Sequence, residues 1–200
     1  MIVHNVPQIP SRTLAIGAGD DAPFLPMLAG IRLLEQAGVE VIAIACNTAH
    51  FWFDRLARSS RVPVLHIADA VAEAISQCGS PVRRVALMAT RETGKIGIYH
   101  QRLSKTVEEL TVPAEPIQQL LDLAIAAVKA NDLARGRQTA HHAARQLLDA
   151  GADLLLVACT ELSVAMAGNP LAGQTIDAAQ VLAQACVRFS LDVPGGSPAD

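Results

Sequence analysis

The chain predicts an α/β fold of two similar lobes, each a parallel sheet flanked by helices, related by a pseudo-two-fold with the active site in the cleft between them. Three observations support this. Short β-rich apolar runs alternate with segments whose apolar residues recur at helical spacing. One unit occurs twice: Ala37-Gly38-Val39-Glu40, four apolar residues, Ala45 and Cys46 return as Ala150-Gly151-Ala152-Asp153, four apolar residues, Ala158 and Cys159. The echo continues from Ile67-Ala68-Asp69-Ala70 to Thr175-Ile176-Asp177-Ala178. Finally, the residues are 51% hydrophobic but only 3% aromatic, so small aliphatic side chains fill the core, as in helices packed closely on a parallel sheet.

In chain order, residues 2–6 read as a strand that runs into a loop, where Pro7 and Pro10 forbid regular structure and which carries Arg12. Residues 24–36 have helical spacing, closed by Ala37-Gly38, and residues 39–45 form the first cysteine-bearing strand. A helix over 48–58 opens at Asn47-Thr48, both good caps. A strand at 62–67 and a helix from Ala70 to Cys78 follow, and residues 81–83 cross to the second lobe. There, a strand at 85–89 ends in the polar loop 90–94, which opens a helix through Tyr99. A strand at 110–112 and helices at 113–129 and 133–149 come next. The strand 153–158 delivers Cys159 to a short helix, then residues 175–177 close the sheet and 178–189 form the last helix. The expected domains are 1–80 with 178–191, then 81–177, followed by a disordered tail at 192–200 with nothing to bury.

Two hundred residues with a net charge of −3 give no electrostatic case for nucleic acid or an anionic membrane. No apolar run approaches the length of a membrane span, and no leader pattern opens the chain. Four cysteines without a Cys-x-x-Cys pair argue against a disulfide framework or zinc knuckle, so a soluble cytoplasmic protein with reduced thiols is expected. Loop 90–94 has too few glycines for a dinucleotide or Walker motif. The adjacent His141 and His142 project to different helix faces, which speaks against a metal site.

A free cysteine is most often a small buried hydrophobe, and Cys78 and Cys186 fit that description. Cys46 and Cys159 differ, because they end equivalent strands of a repeat and have polar neighbours. In parallel sheets ligands bind at this end of the strands. Two thiols facing one pocket suit proton transfer at a carbon from opposite sides, one abstracting and the other returning a proton. Single-cysteine hydrolysis with His50 or His66 as base would not explain why a cysteine occurs twice. The plainer reading of His50 is a helix-surface or core-edge side chain, and His66 either orients a ligand or packs.

Three ordered motifs resemble the cofactor-independent aspartate/glutamate racemase family in its aspartate branch. Its Asn-Pro-Gln-Ile-Pro-Asp-Arg-Thr is similar to Asn5 through Thr13, its Pro-Cys-Asn-Thr-Ala-His to Ala45 through His50, and its Gly-Cys-Thr-Glu to Ala158 through Glu161. The resemblance implies racemisation of aspartate or glutamate by two cysteines, Cys46 and Cys159, in a homodimer without cofactor or metal. It further implies that Asn47, Thr48, Thr90, Thr93, Thr160 and Glu161 line the substrate site and that Arg12 pairs with the side-chain carboxylate. Family members normally begin with an extra strand, a Gly-Gly-Met-Gly-Pro-like loop and a long helix, which this chain does not show. A catalytically impaired relative serving in binding or dimerisation is therefore an alternative, as is an enzyme of the hydantoin racemase, maleate isomerase or arylmalonate decarboxylase kind. Ala134 stands where aspartate-type members carry a lysine, and Arg135 or Arg137 are the expected substitutes.

Overall fold

The computed structural model describes residues 1–192. Residues 2–6 do not form the expected strand: they join no ladder, with Ile2 51% and Val3 77% exposed. A strand exists only where an edge accepts its backbone groups, and among the described residues β1 (Ile42–Ala43) is paired only with β2 (Val64–Leu65). The expected loop after Pro10 is instead the start of helix α1 (Arg12–Ala18). Ser11 accepts from the amide of Leu14 at its start, and Gly19 in the left-handed region (φ 67°) ends it.

Helix α2 (Phe24–Gln36) leads to β1, and helix α3 (Phe53–Ser59) leads to β2. Met27 and Ile31 of α2, Ile42 of β1, and Trp52 and Leu56 form the core of this first sheet. Helix α4 (Ile67–Ser76) follows, starting three residues earlier than expected because His66 supplies its cap.

The second sheet is parallel, with strand order β4-β3-β5-β6, from β3 (Arg84–Ala89), β4 (Glu109–Thr111), β5 (Leu154–Ala158) and β6 (Thr175–Asp177). Strands β3 and β5 are near-continuous apolar runs because both faces are covered. Val85, Leu87, Leu154 and Leu156 face helices α4, α6 (Ile98–Leu103) and α10 (Ala178–Asp192). Ala86, Met88, Leu155 and Val157 face α7 (Glu115–Lys129), α8 (Leu133–Asp149) and α9 (Thr160–Met166). The single helix expected through Tyr99 is two, α5 (Arg91–Ile96) and α6, parted by Gly97 at φ 69°. Asp192 ends α10, while 193–200, the rest of the expected tail, lie outside the described residues.

The repeat is visible in three dimensions. In both copies a positive-φ glycine, Gly38 (φ 77°) or Gly151 (φ 98°), turns the chain from helix into the strand that precedes a cysteine. A Cβ at Gly151 would also lie 2.7 Å from the Arg84 guanidinium. The helices that follow the second echo, α4 and α10, pack on each other.

Candidate active site

Strand β5 ends at Ala158, and Cys159 is the cap residue of α9 in extended geometry (φ −154°, ψ 131°). Its side chain turns back onto its own helix. The thiol donates to Glu161 Oε2 at 3.1 Å, and the Thr160 hydroxyl donates to the same oxygen at 3.0 Å. The other carboxylate oxygen lies 3.6 Å from Lys129 Nζ at the last turn of α7. Burial, then the neighbouring Glu161 charge and its hydrogen bond, push the Cys159 thiol up to about 12, so at neutral pH it carries its proton. Burial also raises the Glu161 carboxyl, but hydrogen bonds from Cys159, its own backbone and Thr160, together with Lys129, outweigh it and hold the carboxyl below its ordinary value. Glu161→Gln removes the charge and leaves burial. The Cys159 thiol is then expected to titrate below its present value, read from thiolate absorbance against pH, and an unchanged titration would remove Glu161 from this account.

Cys46 is half-buried, three residues beyond β1. The expected helix over 48–58 begins as a tighter 3-10 turn, Thr48–Trp52, before α3. That turn carries His50 inward. The Ile67 amide donates to His50 Nε2 at 3.1 Å, so the proton of the neutral ring sits on Nδ1 and is donated to the Cys46 carbonyl at 3.0 Å. Burial, then His66, hold His50 down to about 4, and it stays uncharged at neutral pH. His66 is likewise structural, its Nδ1 accepting from the Ala68 amide at 3.0 Å. Neither histidine lines the cavity described below.

The segment after Cys46 meets the turn between β3 and α5, and the start of α6, through hydroxyls and one amide. Thr48 lies 3.0 Å from Thr93 and 3.3 Å from Thr90, and Thr90 and Thr93 are 3.0 Å apart, closing a triangle of Oγ atoms. The buried Tyr99 hydroxyl donates to Asn47 Oδ1. Behind Thr90, Arg91 pairs with Glu115 (2.6 Å) and Asp122 (2.6 Å), and buried Gln118 donates to the Ala89 carbonyl at 3.1 Å, fixing this strand-to-helix turn. Arg12 lies over its own loop, donating to the carbonyls of Ile9 (3.3 Å) and Pro10 (3.2 Å), and forms no ion pair among the described residues.

These residues enclose a cavity of about 100 Å³, about the volume of three waters in the liquid. Of the expected site residues, Arg12, Cys46, Asn47, Thr48, Thr90, Cys159, Thr160 and Glu161 line it. Thr93 stands behind, joined through Thr48 and Thr90. Lys129, which is not among the expected site residues, also lines the cavity. Arg135 and Arg137 are exposed on α8 and do not reach the cavity. No local motif marks Lys129, and only the packing of α7 on α9 brings it to Glu161. The lining holds two cations and one carboxylate, and so suits a ligand of net charge −1. Among the described residues no group of three or more His, Cys, Asp and Glu is placed to hold a metal. No helix among them is long and apolar enough to cross a membrane.

Comparison with known proteins gives a consistent pattern. The family described as Asp/Glu/Hydantoin racemase matches residues 1–186. The chain is 28% identical over 154 residues to the broad specificity amino-acid racemase RacX of Bacillus subtilis, a match covering 77% of this chain and 66% of that one. The chain thus matches somewhat under two thirds of that relative's length. Among solved structures, an aspartate racemase of Picrophilus torridus has a TM-score of 0.83 at 29% identity, covering 94% of this chain and 78% of that one. An aspartate racemase homologue from Pyrococcus horikoshii has a TM-score of 0.74 at 25% identity, covering 94% and 82%.

Proposed function

Because the chain belongs to the Asp/Glu/Hydantoin racemase family, we propose that it racemises an acidic amino acid, aspartate foremost, by proton transfer between two thiols. The observation that carries this reading is that Cys46 and Cys159, which follow equivalent strands, line one cavity together with two cations, Arg12 and Lys129. Cys46 acts as the base that takes the Cα proton from one face, and the Cys159 thiol returns a proton to the other. No atom is gained or lost, and the stereocentre inverts. The negative charge that develops beside the α-carboxylate is met by fixed donors, and neither a metal nor pyridoxal phosphate is called on. Arg12, unpaired with any acid among the described residues, takes the side-chain carboxylate as a planar fork.

Solvent-deuterium incorporation at Cα of L-aspartate and L-glutamate, followed by proton NMR, tests this. Exchange of aspartate is expected, and no exchange from folded protein would sink the reading and leave a ligand-binding role in its place. The broad specificity stated for the Bacillus subtilis relative supports a second reading, in which several amino acids exchange at comparable rates. A profile across neutral and acidic amino acids separates the two. A lobe division of 1–80 with 178–191 against 81–177 belongs to the same proposal, supported by the separate core around β1 and β2, while α4 and α10 pack on the second sheet. So do a cytoplasmic setting, favoured by four free cysteines, and a homodimer, favoured by exposed apolar side chains such as Leu25 and Leu14.

A further inference from the structure

We propose that Tyr99 is a positioning residue that holds the Asn47 amide with its NH2 group toward the cavity, making Asn47 a donor to a substrate carboxylate and not an acceptor for the ammonium. This rests on the racemase reading above. Tyr99 is 1% exposed on α6, and its hydroxyl donates to Asn47 Oδ1 across the lobe boundary. If the amide turned over, Nδ2 would donate to the phenol oxygen and the phenol proton would be left without a partner in a buried place, so the observed orientation is the one that satisfies both groups. Burial, then the charge of Asp177, hold the phenol well above its ordinary value, so it remains a donor. Asn47 is 3% exposed yet lines the cavity. Its Nδ2 takes part in no hydrogen bond among the described residues, and it is not buried either, because the one such atom that is both buried and unpartnered is His141 Nε2. Asn47 lines the cavity, and on this proposal Nδ2 opens into it.

The test measures aspartate exchange kinetics and calorimetric binding of succinate, a dicarboxylate that cannot react. In Tyr99→Phe, KM for aspartate is expected to rise about tenfold, the loss of one oriented hydrogen bond to a charged group, with kcat within about threefold. In an Asn47→Ala background Tyr99→Phe is expected to add nothing. Asn47→Asp keeps an oxygen for Tyr99, and so the fold, but turns an oxygen toward the cavity. It is expected to weaken both KM and succinate binding by more than about tenfold. An unchanged or lower KM in Asn47→Asp would overturn the proposal, as would an undiminished effect of Tyr99→Phe in the Asn47→Ala background. If the wild type exchanges nothing, the racemase reading fails on its own, and succinate affinity across the same variants still decides the orientation of the amide.

Discussion

Cys46→Ser is expected to lower aspartate racemisation by about 10²–10⁴-fold, the usual worth of a positioned acid or base, and Cys159→Ser by a similar factor. The two variants should nevertheless differ in what survives. With Cys159 replaced, Cys46 can still exchange the proton of the enantiomer whose Cα–H faces it, so deuterium enters that enantiomer without inversion. With Cys46 replaced, the remaining thiol is held protonated by burial and by Glu161, up to about 12, and is a scarce base at neutral pH. Exchange should then be lost for both enantiomers. Racemisation rates by polarimetry, combined with single-enantiomer exchange by NMR, check this. Equal residual exchange in both variants would count against the protonated state assigned to Cys159.

Acid is expected to weaken the fold well above the range in which carboxylates titrate. His50 is held from 6.5 down to about 4 in the folded chain, by burial first and His66 second, whereas the unfolded chain takes up its proton near 6.5. The unfolded state therefore binds more protons between those values. The contribution of His50 is intact above about pH 6.5, shrinks as pH falls, and is fully lost near pH 4, an effect of roughly 3 kcal/mol. His66, also lowered to about 4 by burial and Arg102, acts in the same direction. Asp21, Glu35, Glu115 and Asp153 are each held below the usual carboxylate range and give way only at lower pH, so the two regimes separate. Denaturant unfolding at pH 7, 5.5 and 4 measures the slope. His50→Gln, which keeps a donor and an acceptor without a titrating ring, is expected to flatten it, and a slope as steep as the wild type would exclude His50 as its source.

What the sequence made readable follows from range. Helices α2, α7 and α8 are long and periodic, and they lie within two residues of their expected bounds. Both cysteines were readable because a repeat marks them without reference to contacts. Strand β1 was overestimated, because the expected seven-residue strand keeps only two residues in a ladder when its partner β2 is two residues long. Helix α1 was hidden by Pro7 and Pro10, although Ser11 and Gly19 were legible caps at its two ends. Lys129 and Tyr99 were not legible, since packing alone brings Lys129 from α7 to the cavity and Tyr99 from α6 to Asn47, and neither carries a local signature. His50 was half-legible: its core-edge place was foreseen, while its grip on the Cys46 carbonyl depends on the 3-10 turn that replaced the expected helix.

The threonine triangle has a consequence in the currency of lone pairs. Three hydroxyls hold three protons, and the three contacts Thr48–Thr90, Thr48–Thr93 and Thr90–Thr93 use all of them within the ring, circulating in either sense. Thr90 also accepts the backbone N–H of Thr93, which together with its ring contact fills both of its lone pairs. Seen from the cavity, which Thr93 does not line, the closed ring offers only the remaining lone pair of Thr48. An ammonium group settles on it without moving a proton, whereas a carboxylate must first break one of the three contacts. Under the proposed reading, the lobe boundary would thus sort the two charged ends of an amino acid before any thiol acts: the Asn47 amide NH2 for the anion, the hydroxyl ring for the cation.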